Sequence, residues 1–247
     1  MSEPRALRRG VLGPTLFALA GLAVLIGLGV WQLDRKVWKE NLIATIGARL
    51  SQVPQDLPPR ADWPKLAAGA DEYRRVTFTA EFLPGQEALV YSAGSALRPD
   101  VQGPGYWVFA PARLAGGSIV IVDRGFIPAE RKDAASHAAP QGPVDIVGVM
   151  RWPEARHWFS PHDDPAHNVW YTRDPAAIAA AKSIGAVAPF YVEQESPLPP
   201  GGFPQPGKLV VQPLNNHLQY AITWYGLALV LVVVFVAYAV KSRGEAR

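Results

Sequence analysis

Residues 215–240 read NNHLQYAITWYGLALVLVVVFVAYAV. A polar triplet, Asn215-Asn216-His217, opens this stretch, and the run from Leu218 to Val240 contains no charged residue. At about 1.5 Å of rise per residue, roughly 20 such residues cross the ~30 Å apolar core of a bilayer. The stretch therefore predicts a transmembrane helix over residues 218–240, with a histidine at its entrance.

A second uncharged run, Val11–Trp31, follows a basic leader near the N-terminus. The alternative is a cleaved signal peptide, whose apolar region is only about 7–15 residues long and ends at a small-residue cleavage site. This run is longer and ends in Trp-Gln-Leu-Asp-Arg, so we predict a retained transmembrane helix over residues 11–33. Aromatic and apolar residues at spacings of three or four predict that the helix continues to Leu50.

The basic residues around the second run predict the topology. Lys241, Arg243 and Arg247 follow it, whereas only Lys208 lies in the fifteen residues before it. Because cytoplasmic flanks are enriched in Lys and Arg, the C-terminus is predicted to be cytoplasmic. A chain that crosses the membrane twice has both termini on one side, so the N-terminus is predicted to be cytoplasmic as well. The predicted segments are residues 1–10 (cytoplasmic), 11–33 (transmembrane), 34–217 (extracytoplasmic), 218–240 (transmembrane) and 241–247 (cytoplasmic).

Between the two runs the sequence period changes to two. Residues 75–82, RVTFTAEF, alternate as a half-buried strand does. Further strands are predicted at residues 88–92, 106–114, 118–123, 144–151, 190–195 and 208–212, and one helix at 176–182 behind the cap pair Asp174-Pro175. Short strands with frequent turns favour an antiparallel sheet, curled into a sandwich or partial barrel. The predicted fold class is an α+β membrane protein in which two transmembrane helices flank a β-rich extracytoplasmic domain.

Composition excludes several functions. The net charge is only +3, and no basic run is interleaved with aromatic residues, which argues against a nucleic-acid partner. Cysteine is absent, so there is no disulfide, thiolate metal site or catalytic thiol. No nucleophile elbow, phosphate-binding loop or dinucleotide fingerprint opens a helix, so the sequence does not predict an enzyme.

Three histidines, His157, His162 and His167, are spaced by five residues, with Asp163 and Asp164 among them. They could bind a divalent metal. Intervening prolines forbid one continuous helix, so even spacing does not place the three on one face. We favour a solvated loop with ordinary polar histidines.

Arg124 follows an apolar strand in the sequence Asp123-Arg124-Gly125-Phe126. Gly125 there could supply a positive φ or a bulge. Arg124 could form a structural salt bridge at the strand end, or it could grip a ligand carboxylate such as a haem propionate. The sequence leaves both interpretations open.

On a helix, His217, Tyr220, Ala221 and Trp224 fall on one face. An imidazole over aromatic rings at a membrane boundary could serve as an axial ligand and platform for a lipophilic porphyrin. The alternative is an interfacial helix end, in which Asn215 and Asn216 cap the helix and His217 hydrogen-bonds to headgroups or backbone.

The chain resembles the Surfeit-locus cytochrome c oxidase assembly factors through motifs that run from its first apolar run to its last. These motifs are GVWQLDR (29–35) with Trp38-Lys39, YRRV (73–76), VDRGFIP (122–128), GVMR (148–151), Trp170-Tyr171 leading to Arg173-Asp174, and NNHLQYAITWYGLA (215–228). The chain has Asp123 where the family pattern has asparagine, which adds a negative charge beside Arg124.

The resemblance implies a non-enzymatic role in assisting haem a insertion into subunit I of an aa3-type oxidase, with transient haem a binding. It implies His217 as the axial ligand of the haem iron, with Tyr220 and Trp224 packing on the ring and Arg124 as a further haem-binding residue. The implied partners are oxidase subunit I, the haem a synthase and the lipid bilayer. Because the leader is too short for a mitochondrial transit peptide, the expected location is a bacterial plasma (inner) membrane.

Three other functions remain open. The protein could be an assembly scaffold for the oxidase that does not touch haem. It could be a sensor or transporter accessory protein with an external ligand pocket. It could also be an enzyme that uses a metal in the His157–His167 loop.

Overall fold

The computed structural model describes residues 4–95, 97–156, 158, 160–210 and 215–244. The chain divides into two units. We call residues 1–44 with 213–247 the helical unit and residues 45–212 the barrel unit.

Two long helices carry the apolar runs. Helix α1 spans Pro4–Leu50, so the predicted continuation beyond the first run is confirmed. The second apolar run forms a helix over His217–Gly244, which is α4 in chain order. The segments Leu12–Leu50 and His217–Arg243 are long and apolar enough to cross a membrane, by length and composition.

Within the helical unit, the two helices pack against each other through a seam of buried and half-buried residues spaced three or four apart. In α1 this seam contains Ala18, Leu22, Leu25, Gly29 and Gln32, and in α4 it contains His217, Ala221, Trp224, Ala228 and Leu231. Alternating spacings of three and four are typical of helices packed at a shallow angle.

Small residues let the helix backbones approach. A Cβ at Gly29 would lie 2.6 Å from the Tyr225 ring, and one at Gly21 would lie 3.3 Å from Leu231. These two contacts run in opposite directions along the helices, so the pair is antiparallel. Without a hydrophobic driving force between helices in lipid, such close packing is a main source of helix association.

The barrel unit contains the strands and two short helices. The strands are β1 (Gln55–Asp56), β2 (Arg75–Phe82), β3 (Ala88–Ser92), β4 (Gly105–Leu114), β5 (Ile119–Pro128), β6 (Pro143–Arg151), β7 (Val169–Trp170) and β8 (Val187–Ser196). The helices are α2 (Ala68–Asp71) and α3 (Pro175–Ala181). Asp174 caps α3 by accepting from the backbone N–H groups of Ala176 and Ala177, at 2.9 and 3.1 Å, which confirms the predicted cap.

The strand order is β1-β2-β6-β8-β5-β4-β3-β7, and an additional pairing of β2 with β4 closes the sheet. Strands β2, β6, β8, β5 and β4 therefore form a closed five-stranded barrel. The pairing Ala80↔Leu114 to Phe82↔Ala112 makes this closure. Trp107, Phe109, Ile121 and Tyr191 are fully buried in one core cluster of the barrel unit.

Two details differ from the sequence prediction. Strands β5 and β8 pair in parallel, as do the short pairs β1–β2 and β3–β7, so the sheet is not purely antiparallel. An alternating pattern predicts which face of a strand is buried but not the direction of its partner.

The predicted strand at 208–212 is wrong for residues 208–210, and residues 211–212 lie outside the described chain. Leu209 is buried, as its apolar character predicts. The backbone of this segment makes a bond from Val210 N to Leu97 O, at 2.8 Å, in place of a strand ladder.

Gly125 shows why a glycine is needed within β5. Its φ is +120°, in the region that favours glycine, and a Cβ there would collide with the backbone of Gln205 and Pro206. The next residue, Phe126, exchanges two backbone hydrogen bonds with Gln205, at 2.8 and 3.1 Å. The predicted positive φ is thus confirmed, and its reason is the close approach of a second backbone segment.

We expect Gly125→Ala to lower the free energy of unfolding by roughly 2–4 kcal/mol, because backbone strain adds to overpacking. The measurement is chemical denaturation of the full-length protein in detergent micelles. Gly116→Ala is the matched control, since no atom lies within 4 Å of a Cβ at Gly116 and its φ is not positive. Equal stability of the two variants would contradict the assigned role of Gly125.

Candidate functional site

The candidate site lies at the start of α4. The side-chain oxygen of Asn215 accepts from the backbone N–H of His217 at 3.3 Å, and the carbonyl of Asn216 accepts from Tyr220 N at 3.2 Å. Asparagine is a favoured residue for satisfying the free N–H groups of a helix start. The predicted capping by Asn215 is confirmed, and it places the His217 side chain in the first turn.

The His217 ring contacts the other helix of its unit. Its Nδ1 atom lies 2.7 Å from Oε1 of Gln32, which is only 9% exposed. Because an amide oxygen accepts hydrogen bonds, Nδ1 donates. Nε2 makes no hydrogen bond within the part of the chain that the structure describes.

Tyr220 and Trp224, the aromatic residues of the candidate site, lie on two different faces of α4. Trp224 is half-buried in the seam together with His217 and the buried Ala221. Tyr220 is 56% exposed and points away from the seam. The structure thus brings His217 and Trp224 together on the α1-facing side and leaves Tyr220 on an outer side, although the helix period alone grouped all of them.

Arg124 belongs to the barrel unit and is buried in it. Its Nη1 donates to Glu87 Oε1 at 3.0 Å and to the carbonyl of His137 at 2.8 Å, and Nη2 donates to the carbonyl of Ala138 at 3.0 Å. Burial lowers the pKa of Arg124, and Glu87 opposes this change. These contacts have the form of the structural salt bridge, and the ligand-carboxylate role stays a prediction.

Asp123 does not share the surroundings of Arg124. Its Oδ1 accepts from the backbone N–H of Gly125 at 3.0 Å, and the side chain is fully buried. Burial, and then the negative charge of Glu193, raise the pKa of Asp123 to about 7, with Arg173 acting in the opposite direction. The extra charge that the sequence places beside Arg124 therefore lies in a different cluster of side chains.

That cluster is a buried ionic network that the sequence analysis missed. Arg151 donates to Glu193 at 3.0 Å and to Glu72 at 3.2 Å. Arg173 lies over the ring of Trp107 at 5.0 Å. A cavity of about 330 Å³ is lined by both arginines and by Glu154 and Glu193, among other residues.

The signal for this network was present in the sequence motifs. Asp123, Arg151 and Arg173 each lie in a different motif of the family resemblance, at 122–128, 148–151 and 170–174. Asp123 in β5 and Arg151 in β6 come together because both strands pair with β8, which contains Glu193. Arg173, between β7 and α3, lies close enough to lower the pKa of Asp123. Spacing along the chain could not show this proximity.

The histidine loop contains no arrangement typical of a metal site in its described part. His162 is exposed, and His167 Nδ1 lies 2.7 Å from Asp164 Oδ2. Asp163 binds Arg156 and accepts from the backbone N–H of Tyr171 at 2.7 Å, so it organises the loop. Among the described residues no group of three His, Asp or Glu side chains could hold a metal ion, and His157 lies outside them.

These features define a protein with a pair of long apolar helices, a closed five-stranded barrel unit and an imidazole at the start of the second helix. Comparison with known proteins agrees with this class: the model of the SURF1 family matches residues 19–229. The chain belongs to the SURF1 family.

Relatives match over most of the chain. A SURF1-like protein from Monosiga brevicollis is 36% identical over 95% of this chain and 90% of its own length. Surfeit locus protein 1 of Rattus norvegicus is 34% identical over 83% of this chain and 69% of its own length. Surfeit locus protein 1 of Homo sapiens is 32% identical over 82% of this chain and 69% of its own length.

The raised pKa of Asp123 predicts a pH-dependent stability. Between the unfolded value of 3.8 and the folded value of about 7, the carboxyl is protonated only in the folded state. Raising the pH through this window therefore removes stability, by up to about 1.4 kcal/mol per pH unit. Asp123→Asn should flatten the profile of stability against pH and stabilise the protein above pH 7, because the amide carries no charge at any pH. Its oxygen can still accept from the backbone N–H of Gly125.

The measurement is thermal denaturation of the full-length protein in detergent between pH 5 and 8. Asp145→Asn, at an exposed position of β6, is the matched control and should leave the profile unchanged. A variant Asp123→Asn that is less stable than the wild type at every pH would show that the network needs the carboxylate charge.

Proposed function

We propose that this protein is a biogenesis factor for an aa3-type cytochrome c oxidase, which holds haem a transiently and assists its insertion into subunit I. Family membership supports the oxidase assignment through the resemblance described above. The single observation that supports haem binding is the His217 ring, which is held through Nδ1 with Nε2 free of hydrogen bonds in the described chain.

The residues of the helical unit fit a haem group. An imidazole with one nitrogen hydrogen-bonded and the other free is the usual form of a histidine that ligates iron. Trp224, on the same face, offers a flat apolar surface, and the exposed Tyr220 offers a second ring one turn after His217. Bound haem a would supply an iron atom that accepts a nitrogen ligand and a large apolar ring.

Residues of this chain would hold the haem and release it to the oxidase. His217 would hold the haem iron through Nε2, the ring nitrogen that makes no hydrogen bond within the described chain. A single neutral ligand from the protein suits a transient carrier. The barrel unit would dock on oxidase subunit I, and the haem a synthase is the expected donor.

The proposed location is a bacterial plasma membrane, with both termini in the cytoplasm. The support is the pair of helices long enough to cross a bilayer and the basic residues in the last turn of α4, Lys241 and Arg243. In this role the protein is not an enzyme: it carries or positions the cofactor and does not change it chemically.

A scaffold for the oxidase that does not touch haem is the second candidate. The contacts of Arg124 favour the scaffold over a carrier in which Arg124 also binds haem. Its guanidinium already donates to Glu87 and to two backbone carbonyls.

We expect the full-length protein, purified from cells that make haem a, to show the absorption band of reduced haem a. His217→Ala should lose or shift that band because the axial ligand is removed. His167→Ala is the matched control, since His167 is an exposed histidine of the barrel unit bonded to Asp164.

Absence of the band in the wild-type protein would overturn the carrier function. The scaffold function would then be tested by deleting the gene in the producing cells and measuring assembled oxidase, with His217→Ala expected to restore assembly as well as the wild type does.

A further inference from the structure

We propose that Gln32 is a positioning residue for His217: its side-chain oxygen holds the imidazole in the tautomer whose Nε2 carries the lone pair that binds iron. The inference rests on the proposed function for its role toward haem. Its structural part, the tautomer and orientation of the ring, stands on the contacts of the helical unit alone.

The hydrogen bond itself assigns the tautomer. Gln32 Oε1 lies 2.7 Å from His217 Nδ1, and an amide oxygen has no hydrogen to donate. The shared hydrogen therefore belongs to Nδ1, and Nε2 is left as the acceptor. Either neutral tautomer can ligate a metal through its unprotonated nitrogen, and the hydrogen bond from Nδ1 to Gln32 selects the form that does so through Nε2.

Contacts on both sides of Gln32 keep the amide opposite the ring. About one turn before it, Gly29 allows the close approach of the Tyr225 ring. One turn after it, the carbonyl of Lys36 accepts from the side chain of Asn215 at 3.5 Å. Gln32 thus lies between two other contacts of α1, one with α4 and one with the residue that caps α4, which hold the two chain segments together on both sides of it.

His217 is held at two points, its backbone and its ring. The backbone N–H of His217 is bound by Asn215, and its Nδ1 is bound by Gln32. One partner precedes α4 and the other lies on α1, so the direction of Nε2 is set by both chain segments. Metal-bound histidines commonly donate their second ring nitrogen to such a partner, which fixes the ring and increases its basicity.

The burial of Gln32 supports this assignment. A glutamine at 9% exposure within an apolar helix pair needs a polar partner, and His217 supplies it. Gln219, on the exposed side of α4 two residues after His217, is a glutamine in the same region without this burial. The two glutamines therefore provide a matched pair for experiment.

The first experiment titrates haem a into the full-length protein in detergent and follows the optical spectrum. Gln32→Leu should bind haem a about 10- to 100-fold more weakly than the wild type, as expected for loss of a partner that orients a ligand. Gln219→Leu should bind as the wild type does. Gln32→Glu should retain binding, and its stronger acceptor should make the reduction potential of the bound haem more negative.

The second experiment needs no haem. Nitrogen NMR of the protein with labelled histidine, assigned with His217→Ala, should show Nδ1 protonated in the wild type and in Gln219→Leu. In Gln32→Leu the signals should move to the tautomer with the hydrogen on Nε2. Circular dichroism of each variant checks that the helices are retained.

The outcomes separate the two proposals. Failure of the wild type to bind haem a, with the NMR result as expected, would overturn the carrier function and leave Gln32 as the residue that positions His217. Normal haem binding with equal affinities in Gln32→Leu and Gln219→Leu would overturn the role of Gln32 and leave the carrier function intact. A wild-type ring with the hydrogen on Nε2 would also overturn the role of Gln32.

Discussion

The antiparallel packing of α1 against α4 is the constraint on which the candidate site depends. The helices come from opposite ends of the chain, and small residues at Gly29 and Ala221 lie where they meet. Only at such short range does a glutamine side chain on one helix reach an imidazole on the other. The polar contact between Gln32 and His217 is thus a consequence of the apolar packing around it.

The barrel unit buries several charged side chains inside a small closed sheet. Its interior contains a dense apolar cluster around Trp107 and Tyr191, and charged side chains are buried beside that cluster. Arg151 is neutralised by two glutamates. The cost of burying the charge of Asp123 raises its pKa to about 7, so the carboxyl is mostly protonated below that pH. Buried charges are stable only when they are paired or neutralised.

Arg124 and Arg173, which lie in two different motifs, have different surroundings. Arg124 is enclosed by Glu87 and two backbone carbonyls, which use its Nη1 and Nη2 groups. Arg173 lies against an indole ring and lines a cavity. Neighbouring positions in a strand face opposite sides of the sheet, and for that reason Asp123 and Arg124 make unrelated contacts although they are adjacent in sequence.

Residue pattern alone determined much of this protein. The uncharged runs predicted both long helices. Alternation at residues 75–82, and short runs between turns elsewhere, predicted the main strands up to residue 195. These features are local, because period and length depend on neighbours within one element. The cap at Asp174 and the positive φ at Gly125 are local in the same sense.

The tertiary structure decided which strands pair and which side chains are in contact. The parallel pairing of β5 with β8, the closure of β2 on β4 and the network of Asp123, Arg151 and Arg173 all join residues that are distant in sequence. Helix period could group His217 with Tyr220 and Trp224, but only the packing of α1 showed which side is covered. Gln32 appeared in a motif without a function, and its contact with His217 joins positions 185 residues apart. Local pattern reports which face of an element is buried, whereas the identity of the group across from it is settled only when the chain folds.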